Sequence, residues 1–234
     1  MSAIIKRELS SYFNSAIGYI VLAVFYFFSG MFFYMYCLMS NTTSMTYVFL
    51  SMLMIVMLLV PIITMRSFSE ERKQKTDQAL LTAPISLTEM VLGKFLGAFL
   101  LYCLCNAIYL LYAIILMFYA SPDWAVLLTT LLGMLLMGAA LIAIDLFVSV
   151  LTDSQVIAAV ISIGVGLLIY MLDSIASLIS VEWITNALHT VSFDAHFSNF
   201  INGIINVPSV LFFVSVAAIF LFLCVRVLDK RRWS

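Results

Sequence analysis

Charge is what this chain has least of. Only 10% of its residues are Asp, Glu, Lys or Arg, against about 25% in soluble domains. Hydrophobic residues make up 65% and the mean hydropathy is +1.16. No soluble core of 234 residues could bury that much hydrocarbon, so a water-soluble fold is excluded. Cysteine is scarce too. Cys37, Cys103, Cys105 and Cys224 all lie in apolar runs and fit neither a disulfide framework nor zinc spacing. Cys103 and Cys105, two apart on a helix, do not share a face, so all four read as small core residues. There is no HExxH helix, and the only Gly-Lys, Gly93-Lys94, is followed by Phe95 rather than Ser or Thr. The chain therefore lacks a phosphate-cradling loop, and by its sequence is no enzyme and needs no cofactor or metal. Asp145 and Asp173 differ in depth by roughly 15 Å at helical rise, too far apart to share a proton as protease carboxylates do.

What is present is six apolar runs: 17–39, 45–65, 91–119, 124–151, 156–180 and 208–228. Each is long enough for a membrane helix of about 20 residues, and the third exceeds what a bilayer needs, which requires tilt or a protruding end. The expected fold is an all-α membrane protein, one transmembrane domain over 1–234 with six spans. All eleven basic residues flank the same side: Lys6 and Arg7, then Arg66, Arg72, Lys73, Lys75 and Lys94, then Arg226, Lys230, Arg231 and Arg232. The connections around Asn41, Asp123 and 182–206 contain none. By the positive-inside rule both termini are cytoplasmic. The first run is too long for a signal core and lacks a small-x-small cleavage site after it, so it reads as an uncleaved span.

Ile4, Ile5, Leu9, Tyr12 and Phe13 recur at helical spacing among Lys6, Arg7 and Glu8, which predicts a short interfacial helix ahead of the first span. In the cytoplasmic loop 66–90, Ser67 and Glu70 have capping-box spacing, Glu70 and Glu71 sit in the first turn, and Arg72, Lys73 and Lys75 follow. This predicts a helix over 70–81, with Glu71 and Lys75 paired four apart. Leu80 and Leu81 make its last turn apolar and Pro84 ends it, before a second box, Ser86 and Glu89, opens the third span. On the other side, 181–207 mixes aromatics with Asn, His and Asp. It is too polar to span and too aromatic for a solvated loop, so short interfacial or re-entrant helices are expected, with Trp183, Phe193, Phe197 and Phe200 on the sunken side. Glu182, His189, Asp194 and His196 match no metal spacing.

Residues 58–98, LLVPIITMRSFSEERKQKTDQALLTAPISLTEMVLGKFLGA, resemble the membrane subunits of ABC-2 type ATP-binding-cassette transporters, in particular gliding-motility and nitrous-oxide-accessory permeases. Pro61, Thr64, Met65, Arg66, Glu70, Glu71, Thr76, Leu80, Leu81, Pro84, Ser86, Gly93 and Lys94 fit that family's pattern. Lys75 stands where glycine is common there, and Gln78 where glutamate is. Two further stretches, LFVSVLTDSQVIAA (146–159) and DAHFSNFINGIIN with the closing VLDKRRW, extend the likeness over nearly the whole chain.

The resemblance implies that the polar cytoplasmic helix is a coupling helix, with Glu70, Glu71, Arg72 and Lys73 at the contact with a separate ATPase subunit. It implies short re-entrant helices before the last span, a second permease chain, identical or homologous, and residence in a bacterial cytoplasmic membrane among lipid. No nucleic-acid partner is expected. Small residues, Gly93 with Gly97 or Ser162 with Gly166, permit the close helix approach that pairing needs. The alternative reading is a stand-alone secondary transporter or channel using Asp145 or Asp173 for coupling, Asp145 lying about 9 Å from the cytoplasmic end of its span.

Overall fold

Apolar runs bounded by Asn, Pro, Ser and Asp give long helices because a backbone in hydrocarbon must satisfy its own hydrogen bonds. A computed structural model describes residues 2–73, 75, 86–119, 121–178 and 182–232. Among the described residues it is all-helical, without strands, and six helical stretches are long and apolar enough to cross a membrane.

Helix α1 (Ser2–Asn14) precedes α2 (Ala16–Phe33), which ends in a π-helical turn, Tyr34–Leu38. Helix α3 (Thr46–Thr64) contains Pro61 and leads through a turn at 65–68 to the short α4 (Ser69–Lys73). The third span is α5 (Leu87–Asn106) followed, after Ala107, by α6 (Ile108–Met117). Its 31 residues amount to about 46 Å of helix, well over a hydrocarbon core of about 30 Å. The Ser86 side chain caps α5 by accepting from the Glu89 amide at 3.2 Å, as the box spacing predicts. Helices α7 (Trp124–Leu151) and α8 (Gln155–Leu178) follow, then α9 (Glu182–Val191), α10 (Phe193–Ile201) and α11 (Val207–Arg232).

Helix α7 is the hub, packed against α3, α5, α8, α10 and α11. With no hydrophobic drive between helices in lipid, side-chain packing and hydrogen bonds hold such a bundle. Tyr109 meets Phe25 and Phe49 edge-on or tilted, and Tyr112 stacks on Phe33 at 4.4 Å while its hydroxyl shares a 3.0 Å bond with Ser29. Cys37, Cys105 and Cys224 are buried thiols in this core, and Cys103 is partly buried.

Gly93 and Gly97 face α1, not open surface. A methyl group on Gly93 would sit 2.7 Å from Ile4, and one on Gly97 2.7 Å from the Cβ of Glu8. Gly166 faces Met57 of α3 and Ser162 is buried, so these small residues serve packing within the chain. Outward, α8 and α11 present Val156, Val160, Leu168, Leu211 and Ile219.

The end of the bundle that holds 43–49, 122–130 and 201–202 encloses a pocket of about 340 Å³ lined by Thr46, Phe49, Asp123, Thr130 and Asn202 among others. Beside it α10 turns Phe193, Phe197 and Phe200 into the protein, while Trp183 on α9 is 73% exposed. The three phenylalanines pack inward, Phe193 and Phe200 lying beside Phe213 of α11. Thr129 and Thr130 of α7 both donate to the Phe200 carbonyl, at 3.0 and 3.2 Å. Gly203, at φ +77°, donates its amide to the same oxygen at 3.1 Å, the left-handed helix stop that glycine adopts without steric cost.

Candidate functional site

At the basic end of the bundle, the C-terminal carbonyls of α3 lack intrahelical donors. The Pro61 and Thr64 carbonyls take the amides of Met65 and Ser67 in the following turn, and three others, on Ile63 and in that turn, take donors from other elements. The Tyr12 hydroxyl of α1 donates to the Ile63 carbonyl at 3.0 Å, and burial pushes the Tyr12 pKa up, so the phenol stays a donor. Ser149 of α7 donates to the Met65 carbonyl at 3.2 Å, which also takes the Ser69 hydroxyl. Lys94 of α5 donates to the Ser67 carbonyl at 2.6 Å.

Lys94 is 1% exposed, a position where an unpaired ammonium would cost several kcal/mol. Its three protons have three acceptors: the Ser67 carbonyl, Glu71 Oε1 at 2.9 Å and Glu8 Oε1 at 3.1 Å. The ammonium also lies 5.0 Å from the Phe68 ring centroid. Arg7 completes the cluster, 2.7 Å from Glu71 Oε1 and 3.3 Å from Glu8 Oε1. Two carboxylates therefore face two cations, drawn from α1, α4 and α5.

The opposite flank of α4 is held by the α7–α8 joint. Ser149 Oγ accepts from the amides of Phe68 at 3.2 Å and Ser69 at 3.3 Å. The N-terminal cap of α4 thus comes from another helix, instead of from Ser67 as the box spacing suggested. Arg72 forms an ion pair with Asp153 and donates to the Leu151 carbonyl at 3.3 Å. Arg66 donates to Glu70 at 2.7 Å and to the Ser15 hydroxyl at 3.2 Å.

The residues named as an ATPase contact are therefore mostly turned to intramolecular work. Glu70, Glu71 and Arg72 pair inside the chain, and Lys73 is exposed. The continuous helix expected over 70–81 is broken: α4 stops at Lys73, and Lys75 takes a left-handed φ of 58°. Lys75 therefore no longer sits one helical turn beyond Glu71. Gln74, Thr76, Gln78, Leu80, Leu81 and Pro84 lie outside the described residues. Sequence reasoning missed Glu8, Ser149 and Lys94 as organisers. The available signal was Lys94, the sole charge near the end of an otherwise apolar run, since a lysine in such a run demands a partner.

Asp145 is 3% exposed, so it does not reach the bundle end as its sequence position suggested. The Asp173 and His189 side chains lie outside the described residues. His196 stacks on Phe212 with centroids 4.2 Å apart, and its ring nitrogens contact the Thr190 carbonyl and the Ser209 hydroxyl, both at 3.1 Å.

Six membrane-length helices, with a short charged helix clasped at one end, define a polytopic α-helical membrane protein. The family model described as ABC-2 family transporter protein matches residues 38–228, and the chain belongs to that family. It is accordingly an ABC transporter permease. No curated protein matches the chain.

Proposed function

We propose that the chain is the membrane subunit of an exporter driven by ATP hydrolysed on a separate subunit, of the gliding-motility or nitrous-oxide-accessory kind. It works as a pair with a second permease chain in a bacterial cytoplasmic membrane, with both termini in the cytoplasm. The observation that carries this reading is the clasp on residues 65–73. A surface helix of five residues has no reason to be tied at once to α1, α5 and the α7–α8 joint unless force applied to it must reach several spans. On this reading the ATPase meets the exposed face that includes Lys73, while Glu70, Glu71 and Arg72 transmit motion inward. Short helices α9 and α10 form the exit-side wall beside the 340 Å³ pocket, with Trp183 at the lipid headgroups.

Purification from native membranes tests it. The expected product contains two permease chains and an ATP-hydrolysing subunit with Walker motifs. Transport driven by a proton gradient in vesicles that contain this chain and no ATPase would overturn the proposal.

A further inference from the structure

The buried cluster joins elements far apart in sequence. Glu8 belongs to α1, Glu71 to α4 and Lys94 to α5, yet both carboxylates meet one ammonium within 3.1 Å. Glycine at 93 and 97 lets α1 approach α5 closely enough for this, since a side chain at either position would collide with Ile4 or Glu8. Tyr12 of α1 donates to Ile63 at the end of α3, and Ser15, just past α1, accepts from Arg66. Only Ser15 separates α1 from α2, the start of the first span. A displacement of 65–73 that kept these bonds would carry α1, and through it the first span, along with the third.

We propose that Lys94 is the positioning residue that makes α1 part of the moving unit, a buried pivot holding Glu8 and Glu71 so that motion received at 65–73 reaches the first and third spans together. This rests on the coupling reading above. Lys94 touches no substrate or nucleotide. Its chemistry is that of a three-proton donor on α5 whose acceptors sit on α1 and on 65–73, so that one ammonium fixes three segments against one another as one carboxylate pair alone could not. The joint at Ser149 and Asp153 would deliver the same displacement to the fourth and fifth spans, so the segment works as a fork with two prongs.

The test uses the full chain in lipid nanodiscs with spin labels at Ser10 and Lys73, both exposed. The wild type is expected to give one narrow distance. Lys94→Met with Glu8→Gln removes one charge of each sign and leaves Arg7 facing Glu71, so the cluster stays balanced. This variant is expected to lose the single distance, while labels at Asn41 and Asp123 on the opposite end keep theirs. A narrow Ser10–Lys73 distance in the variant overturns the proposal. If the double variant fails to fold, Glu8→Met alone decides the question, because it removes the acceptor that Lys94 has on α1 and leaves Lys94 on Glu71 and Ser67. With the ATPase bound, nucleotide should shift the label at Ser10 relative to Asp123 in the wild type, and the variant should lose that shift while hydrolysing ATP. A chain that never holds an ATPase refutes the coupling reading instead, and the distances without nucleotide still decide the role of Lys94.

Discussion

Ser149→Ala removes a single oxygen from the joint between the fourth and fifth spans, and its effect can be worked from the bonds that oxygen makes. It accepts from the amides of Phe68 and Ser69, both buried, and donates to the Met65 carbonyl. The Met65 carbonyl keeps the Ser69 hydroxyl as a donor, so two amides are orphaned. A buried unsatisfied donor costs about 1–3 kcal/mol, and loss of a helix N-cap typically about 1 kcal/mol. Alanine's better helix propensity returns about 0.5 kcal/mol. A net loss of about 2 kcal/mol follows, or about 4–8 °C in Tm for a chain of this size. Thermal unfolding in nanodiscs reads the total, and amide exchange reads its location: protection should fall over 65–73 while α1 keeps its own. An unchanged Tm, or protection lost evenly over the bundle, would refute the claim that Ser149 specifically caps α4.

Four further outcomes are expected. Lys75→Gly should raise stability by up to about 1 kcal/mol, because a left-handed φ costs a side-chain-bearing residue about that much; thermal unfolding and slower amide exchange over Ser69–Lys73 check it. Reversing Glu70 and Glu71 to lysine should lower Tm even without an ATPase, since it places new cations beside Arg66, Arg7 and Lys94, whereas Lys73→Glu should change stability by no more than about 0.5 kcal/mol and still weaken ATPase co-purification. Gly97→Ala should cost about 1–3 kcal/mol by overpacking against Glu8, read as faster exchange of Ser2–Asn14. Single cysteines at Asn41, Asp123 and Ser198 in a cysteine-free background should react with an impermeant thiol reagent from outside intact cells, and one at Lys73 should not.

The spans were legible because membrane helices announce themselves by length and apolarity, and the basic end because lysine and arginine are so unevenly distributed. The box at Ser86 was legible because capping is local. The function of Glu70 and Glu71 was not. Local spacing shows acids in the first turn of a helix and allows the Arg66–Glu70 pair, but the partners of Glu71, Arg7 and Lys94, come from other segments, and the true cap, Ser149, is some eighty positions away. Once Lys94 is buried, the desolvation cost of its charge demands nearby carboxylates, and Glu8 and Glu71 supply them. Lys75 is the reverse case. It takes a left-handed φ of 58°, a conformation that favours glycine, with lysine in place. Phe193, Phe197 and Phe200 share one buried face, and periodicity cannot tell a lipid-facing side from a protein-facing one, since both are apolar.

The most direct test of the account is photo-crosslinking in native cells from an unnatural amino acid at Lys73, with Asp123 at the opposite end as the control position. Lys73 is expected to capture a protein carrying Walker motifs, capture should change when nucleotide is trapped, and Asp123 should capture no such protein. Absence of any ATPase adduct at Lys73, or equal capture at both positions, would contradict it.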